Sequence, residues 1–213
     1  MREVYLFDML IAGQNKLKVS IAPVQVAAET PFTLLQLAEQ AQSCGNCQLR
    51  KGATRVVFGK GNPQADLMFV GEGPGAEDDK QGTPFVGEAG QLLDKILVAA
   101  GINREAVYIT NVIKCFPAEE RKPNKSEIEA CMLHLRQQIN VIQPKIIVCL
   151  GSMATQALLG PAVRVSSIRG TWHDIEGIQV MPMYHPAALL RDSAKKRPTW
   201  EDIQKVRDAY RSL

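Results

Sequence analysis

The chain has 213 residues, 46% of them hydrophobic and 22% charged, which excludes an intrinsically disordered protein and fits one substantial domain with a modest appendage. A formal net charge of +3 is too weak to identify a nucleic-acid-binding protein on its own. No apolar run approaches bilayer-spanning length, and Asp8 interrupts the short apolar N-terminal stretch before any convincing small-residue cleavage site, so a cytoplasmic protein with no membrane association is expected.

Residues 1 to about 30 lack clear periodicity and read as an extension. Thr30-Pro31 suits an N-cap followed by proline at the first helical position, predicting a helix that runs towards Cys44. Cys44-Gly-Asn-Cys47 then forms a two-ligand knuckle awaiting partners. Between Gln48 and Ala65 there are four basic residues (Arg50, Lys51, Arg55, Lys60) and no acidic ones, a charge that suits phosphates or a solvated surface.

An apolar run at 66–70 predicts a buried strand ending in Gly71-Glu72-Gly73-Pro74-Gly75. A glycine-dense turn at the C-terminal end of a strand is where ligands bind in open α/β sheets. It is neither G-x-G-x-x-G nor a P-loop, and Glu77, Asp78 and Asp79 would repel a phosphate. A helix over Glu88–Ala100 follows, with Leu92, Leu93, Ile96, Leu97 and Ala100 at helical spacing and Gly101 as its stop. A second strand at 107–110 leads to Asn111, whose amide can offer one acceptor and one donor to a ligand edge, or simply cap a turn.

Ser126 and Glu129 predict a capping box for a helix presenting Ile128, Cys131, Met132, Leu135, Ile139 and Ile142 on one face. Strands at 145–150 and 178–184, a short helix after Gly151 and a last helix from about Thr199 complete the series. The final strand ends in Tyr184-His185-Pro186-Ala187-Ala188-Leu189-Leu190-Arg191, and a second basic cluster joins Arg191 with Lys195, Lys196 and Arg197. Strand–helix alternation predicts an α/β fold: a three-layer α/β/α sandwich around a central four-stranded, mainly parallel sheet. Three strand ends bearing the glycine loop, Asn111 and His185 then converge on one sheet edge, although each alone has a structural reading.

The five cysteines (Cys44, Cys47, Cys115, Cys131 and Cys149) are unsuited to a disulfide framework in a reducing compartment. A metal site is the better expectation, and spacing permits zinc or iron–sulfur equally. Cys149 lies inside a strand pattern and reads as an unliganded core thiol.

Over about residues 34–213 the chain resembles the family 4 uracil-DNA glycosylases. The resemblance rests on C-x2-C, the G-E-G-P-G loop, Pro84-Phe85-Val86-Gly87, the I-T-N-x-x-K-C run ending at Cys115, Cys131, and H-P-A-x-L-L-R, in the family's order. Residues 1–33 fall outside it.

The resemblance implies a [4Fe-4S] cluster on Cys44, Cys47, Cys115 and Cys131. It implies an enzyme that flips uracil out of single- or double-stranded DNA, hydrolyses the N-glycosidic bond and leaves an abasic site, acting as a monomer. Glu72, Gly73, Pro74, Asp78, Phe85, Asn111 and His185 would surround the uracil. Phe85 would stack on it, Asn111 would read it, and His185 would stand near O2. Leu189 or Leu190 would wedge into the vacated stack, with Arg191, Lys195, Lys196 and Arg197 on the DNA.

Family 1 enzymes have an Asp where this chain has Gly73 and a Tyr where it has Gly75, which leaves Glu72 and Asp78 as candidates to hold the attacking water. The family often carries Glu at the position of Asp78. A related branch that traps DNA covalently carries a basic, His-containing loop where this chain has Asp79-Lys80-Gln81-Gly82-Thr83, so ordinary turnover is expected. Two other readings compete: a non-catalytic DNA-binding module with a structural metal, and a metal-dependent nucleotide hydrolase using the acidic loop.

Overall fold

The structure, a computed structural model, describes residues 32–117 and 121–213. The expected helix start at Thr30-Pro31 and the N-terminal extension up to residue 31 lie outside the described residues. The first described helix, α1 (Leu34–Gln42), is capped by Thr33, whose backbone N–H and side chain exchange hydrogen bonds with Gln36 in a capping box. A one-turn helix α2 (Leu49–Gly52) follows the Cys44–Cys47 knuckle.

Among the described residues six strands form one sheet: β1 (Lys60–Gly61), β2 (Leu67–Gly71), β3 (Tyr108–Asn111), β4 (Ile146–Leu150), β5 (His173–Ile175) and β6 (Ile178–Met183), in spatial order β1-β3-β2-β4-β6-β5. The inner four are the strands expected from the sequence, and they pair in parallel. The two edge strands pair antiparallel and enlarge the expected four-stranded sheet. They are two and three residues long and largely only half-buried, so no apolar run announces them.

Helices cover both faces, because side chains alternate along each strand. Met68 and Val70 point into a core built with Leu37 of α1, Leu135 and Ile139 of α5 (Lys125–Ile142) and Leu158 of α6 (Gly151–Leu159). Leu67 and Phe69 point oppositely, against Leu93 and Leu97 of α4 (Glu88–Ala100) and Ile203 and Val206 of α9 (Lys196–Arg211). The remaining helices, α3 (Ala76–Gln81), α7 (Val165–Ile168) and α8 (Pro186–Arg191), are short and lie in connections near strand ends.

Two expectations about helix ends are corrected. The cap of α5 is Asn124 with Glu127, not Ser126 with Glu129: the Asn124 side chain accepts from Glu127 N–H at 2.9 Å, and the Glu127 carboxylate accepts from Asn124 N–H at 2.9 Å. Ser126 only donates its hydroxyl to Asn124 Oδ1, at 2.8 Å. The last helix begins at Lys196, three residues before the expected Thr199, because Pro198 falls within its first turn, where a missing N–H costs nothing. Chemical denaturation checks the first correction. Asn124→Ala lowers stability by about 0.5–2 kcal/mol, whereas Ser126→Ala stays within about 0.5 kcal/mol of the parent.

Candidate active site

Four parallel strands deliver four C-terminal ends to one edge of the sheet. At the last rung of the β2–β3 ladder, Gly71 stands opposite Asn111. The Asn111 side chain is fully buried, and neither Oδ1 nor Nδ2 has a hydrogen-bond partner among the described residues. An unpaired buried amide costs roughly 1–3 kcal/mol and calls for a ligand. A Cβ on Gly71 would sit 2.3 Å from Asn111 Oδ1 and 2.6 Å from Phe85 Cζ, so glycine is what lets these two side chains meet there.

Phe85 is buried and adopts a left-handed backbone, φ 57°, which is costly for an aromatic residue. Three contacts hold it. Val86 N–H donates to Asp78 Oδ1 at 2.8 Å, and Arg104 donates to the carbonyls of Pro84 and Phe85 at 3.2 and 3.3 Å while paired with Asp94. Gly90 on α4 lets the Phe85 carbonyl come within 1.9 Å of where a Cβ would stand.

The Phe85 ring packs against His185, centroid to centroid 5.6 Å at 30°. His185 ends the segment after β6 and caps α8, with Nδ1 accepting from Ala187 N–H at 3.2 Å. An accepting Nδ1 carries no proton, so the neutral ring has its proton on Nε2. Burial, aided by the Arg191 guanidinium and opposed by Asp78, pushes the imidazole down from 6.5 to about 4. At neutral pH His185 is an uncharged donor.

His185 also lines an open cavity of about 850 Å³ at the same sheet edge, together with Glu72, Gly73, Pro74, Arg191 and Lys195. Glu72 makes no side-chain hydrogen bond or ion pair among the described residues. Asp78 does not face this cavity: it is buried, and its carboxylate accepts from the Gly75 and Val86 N–H groups at 3.3 and 2.8 Å. Both carboxylate oxygens of Asp78, expected to hold a water, are thus engaged by backbone N–H groups. It is the N3 partner that fixes the glycine loop onto α3 and α3 onto Phe85.

Of the two leucines expected as a wedge, Leu189 is 2% exposed and Leu190 is 50% exposed. Arg191, Lys196 and Arg197 are exposed, Arg197 pairing with Glu201 at 3.2 Å. Lys195 is half-buried, pairs with Asp192 at 2.6 Å and lies 5.8 Å from the Tyr184 ring centre. Ser152, Ser166 and Lys122, none of them expected from the sequence, also line the cavity. Ser152 could have been found, since it follows the end of β4, the one parallel strand end left unassigned. Ser166 and Lys122 carry no such signal.

The cysteines gather away from this cavity. Cys44, Cys47, Cys115 and Cys131 line one small cavity with Arg50, Lys114 and His134. Cys131 Sγ accepts from Lys114 N–H at 3.3 Å, and His134 Nε2 lies 3.3 Å from Cys44 Sγ. Among the described residues no three donors group as ligands of a single metal ion. Burial and the neighbouring thiols Cys131, Cys47 and Cys44 push Cys115 up to about 12 as a free thiol, a state that a bound cation reverses. The convergence of four soft donors without a carboxylate suits a thiolate-bound metal group. Cys149 is fully buried in the core, as expected.

The model of the uracil DNA glycosylase superfamily matches residues 58–204. The chain is 43% identical to the type-4 uracil-DNA glycosylase of Thermotoga maritima, over 80% of this chain and 91% of that one. It is 38% identical to the type-4 uracil-DNA glycosylase of Archaeoglobus fulgidus, over 82% and 92% of the two chains. The enzyme of the same name from Sulfurisphaera tokodaii is 40% identical over 83% and 84%. The chain belongs to the uracil-DNA glycosylase superfamily and, within it, to the type-4 branch.

The His185 shift makes a signed prediction. A folded pKa lowered to about 4 means that only the unfolded chain takes a proton between pH 6.5 and 4, so stability falls through that window as pH drops and levels off below it. Equilibrium unfolding of the parent against His185→Gln isolates this loss, expected at about 3 kcal/mol.

Proposed function

We propose that this protein is a monofunctional uracil-DNA glycosylase that takes uracil into the site formed by Gly71, Phe85, Asn111 and His185, hydrolyses its bond to deoxyribose and leaves an abasic site, the opening step of base excision repair. The observation that carries this reading is the buried Asn111 amide with both polar atoms unpaired. Its carbonyl can accept from uracil N3–H while its amide donates to O4; cytosine presents the reverse pattern. Extrusion of the base costs a few kcal/mol, which stacking on Phe85 offsets by roughly 1–3 kcal/mol.

Cleavage of the glycosidic bond leaves negative charge on uracil. His185 Nε2–H, fixed as donor by the Ala187–Nδ1 bond, is suited to O2, where that charge develops. Glu72 is the remaining nominated carboxylate on the cavity wall and is assigned to orient the attacking water. Leu190 fills the gap left in the stack, while Arg191, Lys195, Lys196 and Arg197 meet the phosphates of single- or double-stranded DNA.

Cys44, Cys47, Cys115 and Cys131 would hold a [4Fe-4S] cluster, which when bound supplies a cross-link between the knuckle after α1, the segment after β3, and α5. The catalytic domain is taken as residues 34–213, with 1–33 as an extension. Leu37 and Ala41 of α1 share a core with Leu135 and Ile139, which supports starting the domain well before the matched stretch at 58. The enzyme is assigned to the cytoplasm as a monomer.

Purified protein with EDTA present is expected to release free uracil from an oligonucleotide and leave the backbone uncut. Intact uracil in single-stranded, U·G and U·A substrates alike would sink the proposal. His185→Ala should lower kcat about 10²–10³-fold. Asn111→Ala should lose most activity while its melting temperature stays level or rises, because an unpaired amide has been removed. Iron and acid-labile sulfide in about equal amounts, four of each per chain, are expected from a cluster of this type; zinc without sulfide would overturn the cluster assignment.

A further inference from the structure

Lys114 is 1% exposed, and among the described residues no carboxylate faces it. Its Nζ donates to Thr110 Oγ1 at 2.7 Å, to the Asn111 main-chain carbonyl at 2.6 Å and to Gln138 Oε1 at 2.6 Å, which uses all three ammonium protons. Those partners are themselves held. Gln138 Nε2 donates to the Phe58 carbonyl at 2.8 Å and to the Tyr108 hydroxyl at 3.1 Å, and Thr110 Oγ1 donates to the Phe58 carbonyl at 2.7 Å. Phe58 also turns its ring towards the ammonium, 5.8 Å from Nζ.

The backbone of Lys114 is pinned as firmly. Its N–H donates to Cys131 Sγ at 3.3 Å, and its carbonyl accepts from Val57 N–H at 2.7 Å. One residue thus touches both the main chain of Asn111 and a cysteine of the proposed cluster site. Burying an ammonium among neutral acceptors is unfavourable, and a residue as long and apolar as methionine would fill the same volume without that cost. What the Nζ donors add is direction: a main-chain carbonyl at the end of a strand is held in one place by a hydrogen bond from a buried amino group that is itself fixed by two further acceptors.

We propose that Lys114 is a positioning residue for base recognition, fixing the end of β3 so that the Asn111 amide is presented in one pose and tying that pose to Cys131. The proposal rests on Asn111 as the uracil-reading residue. Its effect falls on uracil affinity and on the chemical step, not on capture of DNA. Lys114→Met keeps length and removes the donors; Gln138→Met removes one acceptor and leaves the lysine in place.

Both variants are prepared as the cluster-containing full chain, and inhibition by free uracil, kcat for uracil release, affinity for abasic-site DNA and visible absorbance are measured together. Lys114→Met is expected to weaken free-uracil inhibition at least tenfold and to lower kcat at least tenfold, with abasic-DNA affinity and absorbance within twofold of the parent. Gln138→Met is expected to shift uracil inhibition the same way by a smaller factor, and it decides the matter if Lys114→Met does not fold. Uracil inhibition and kcat within twofold of the parent overturn the proposal. Loss of uracil affinity only alongside loss of absorbance or of abasic-DNA binding overturns it too, since that is a purely structural role. Asn111→Ala run in parallel separates the cases: if it retains parental uracil inhibition, the reading of Asn111 has failed, whatever Lys114 does.

Discussion

The site depends on the rung at which Gly71 faces Asn111. Side chains alternate across a strand, so the register of β2 against β3 decides which face each residue of β3 serves. In the observed register the Thr110 side chain enters the polar network with Gln138 and Lys114 on one face, and the Asn111 side chain meets Phe85 on the other. A slip by one residue would exchange them, sending the amide into the Lys114 network and leaving Phe85 without a polar neighbour. Gly71 supports that arrangement by leaving empty the place its own side chain would fill.

Around this rung the fold accepts local costs that a bound ligand would offset. An amide is buried without partners, and a phenylalanine takes a left-handed backbone. The acidic residues after the glycine loop bear part of that burden. Asp78 holds the Gly75 and Val86 amides, and Asp79 accepts from Thr54 N–H at 3.0 Å and Arg55 N–H at 3.2 Å, which draws the basic stretch after α2 against α3. Carboxylates that look catalytic in a linear reading are here consumed by backbone N–H groups. Glu72 differs only because it precedes the helix and faces the cavity.

The four central strands were legible because each is a short, continuous apolar run, and each boundary was placed within about one residue. Their parallel pairing followed from the intervening helices, and with it the convergence of the glycine loop, Asn111 and His185. The edge strands were not legible, since half-buried segments of two or three residues carry no pattern. The cap of α5 was misplaced by two residues because Ser126-x-x-Glu129 and Asn124-x-x-Glu127 both satisfy the motif, and only the second reaches the orphan N–H groups. The choice between Leu189 and Leu190 turns on the phase of α8, a six-residue element too short for apolar periodicity to set its phase.

The absent family 1 aspartate acquires a physical reason at Gly73. A Cβ there would lie 2.5 Å from Cγ1 of Ile113, so the volume a carboxylate would need is occupied by an isoleucine. That isoleucine belongs to the segment after β3, whose main chain continues along the glycine loop through Val112 N–H to the Gly71 carbonyl at 2.9 Å and Ile113 N–H to the Glu72 carbonyl at 3.1 Å. Five consecutive residues therefore set the character of the site. Asn111 presents the amide, Val112 and Ile113 bind the loop, Ile113 fills the space beside position 73, Lys114 holds the Asn111 carbonyl, and Cys115 ends the run among the thiols. With no carboxylate in that space, the proposed mechanism places the burden of catalysis on the departing base, where a neutral His185 donor and the Asn111 amide would meet the charge as it forms.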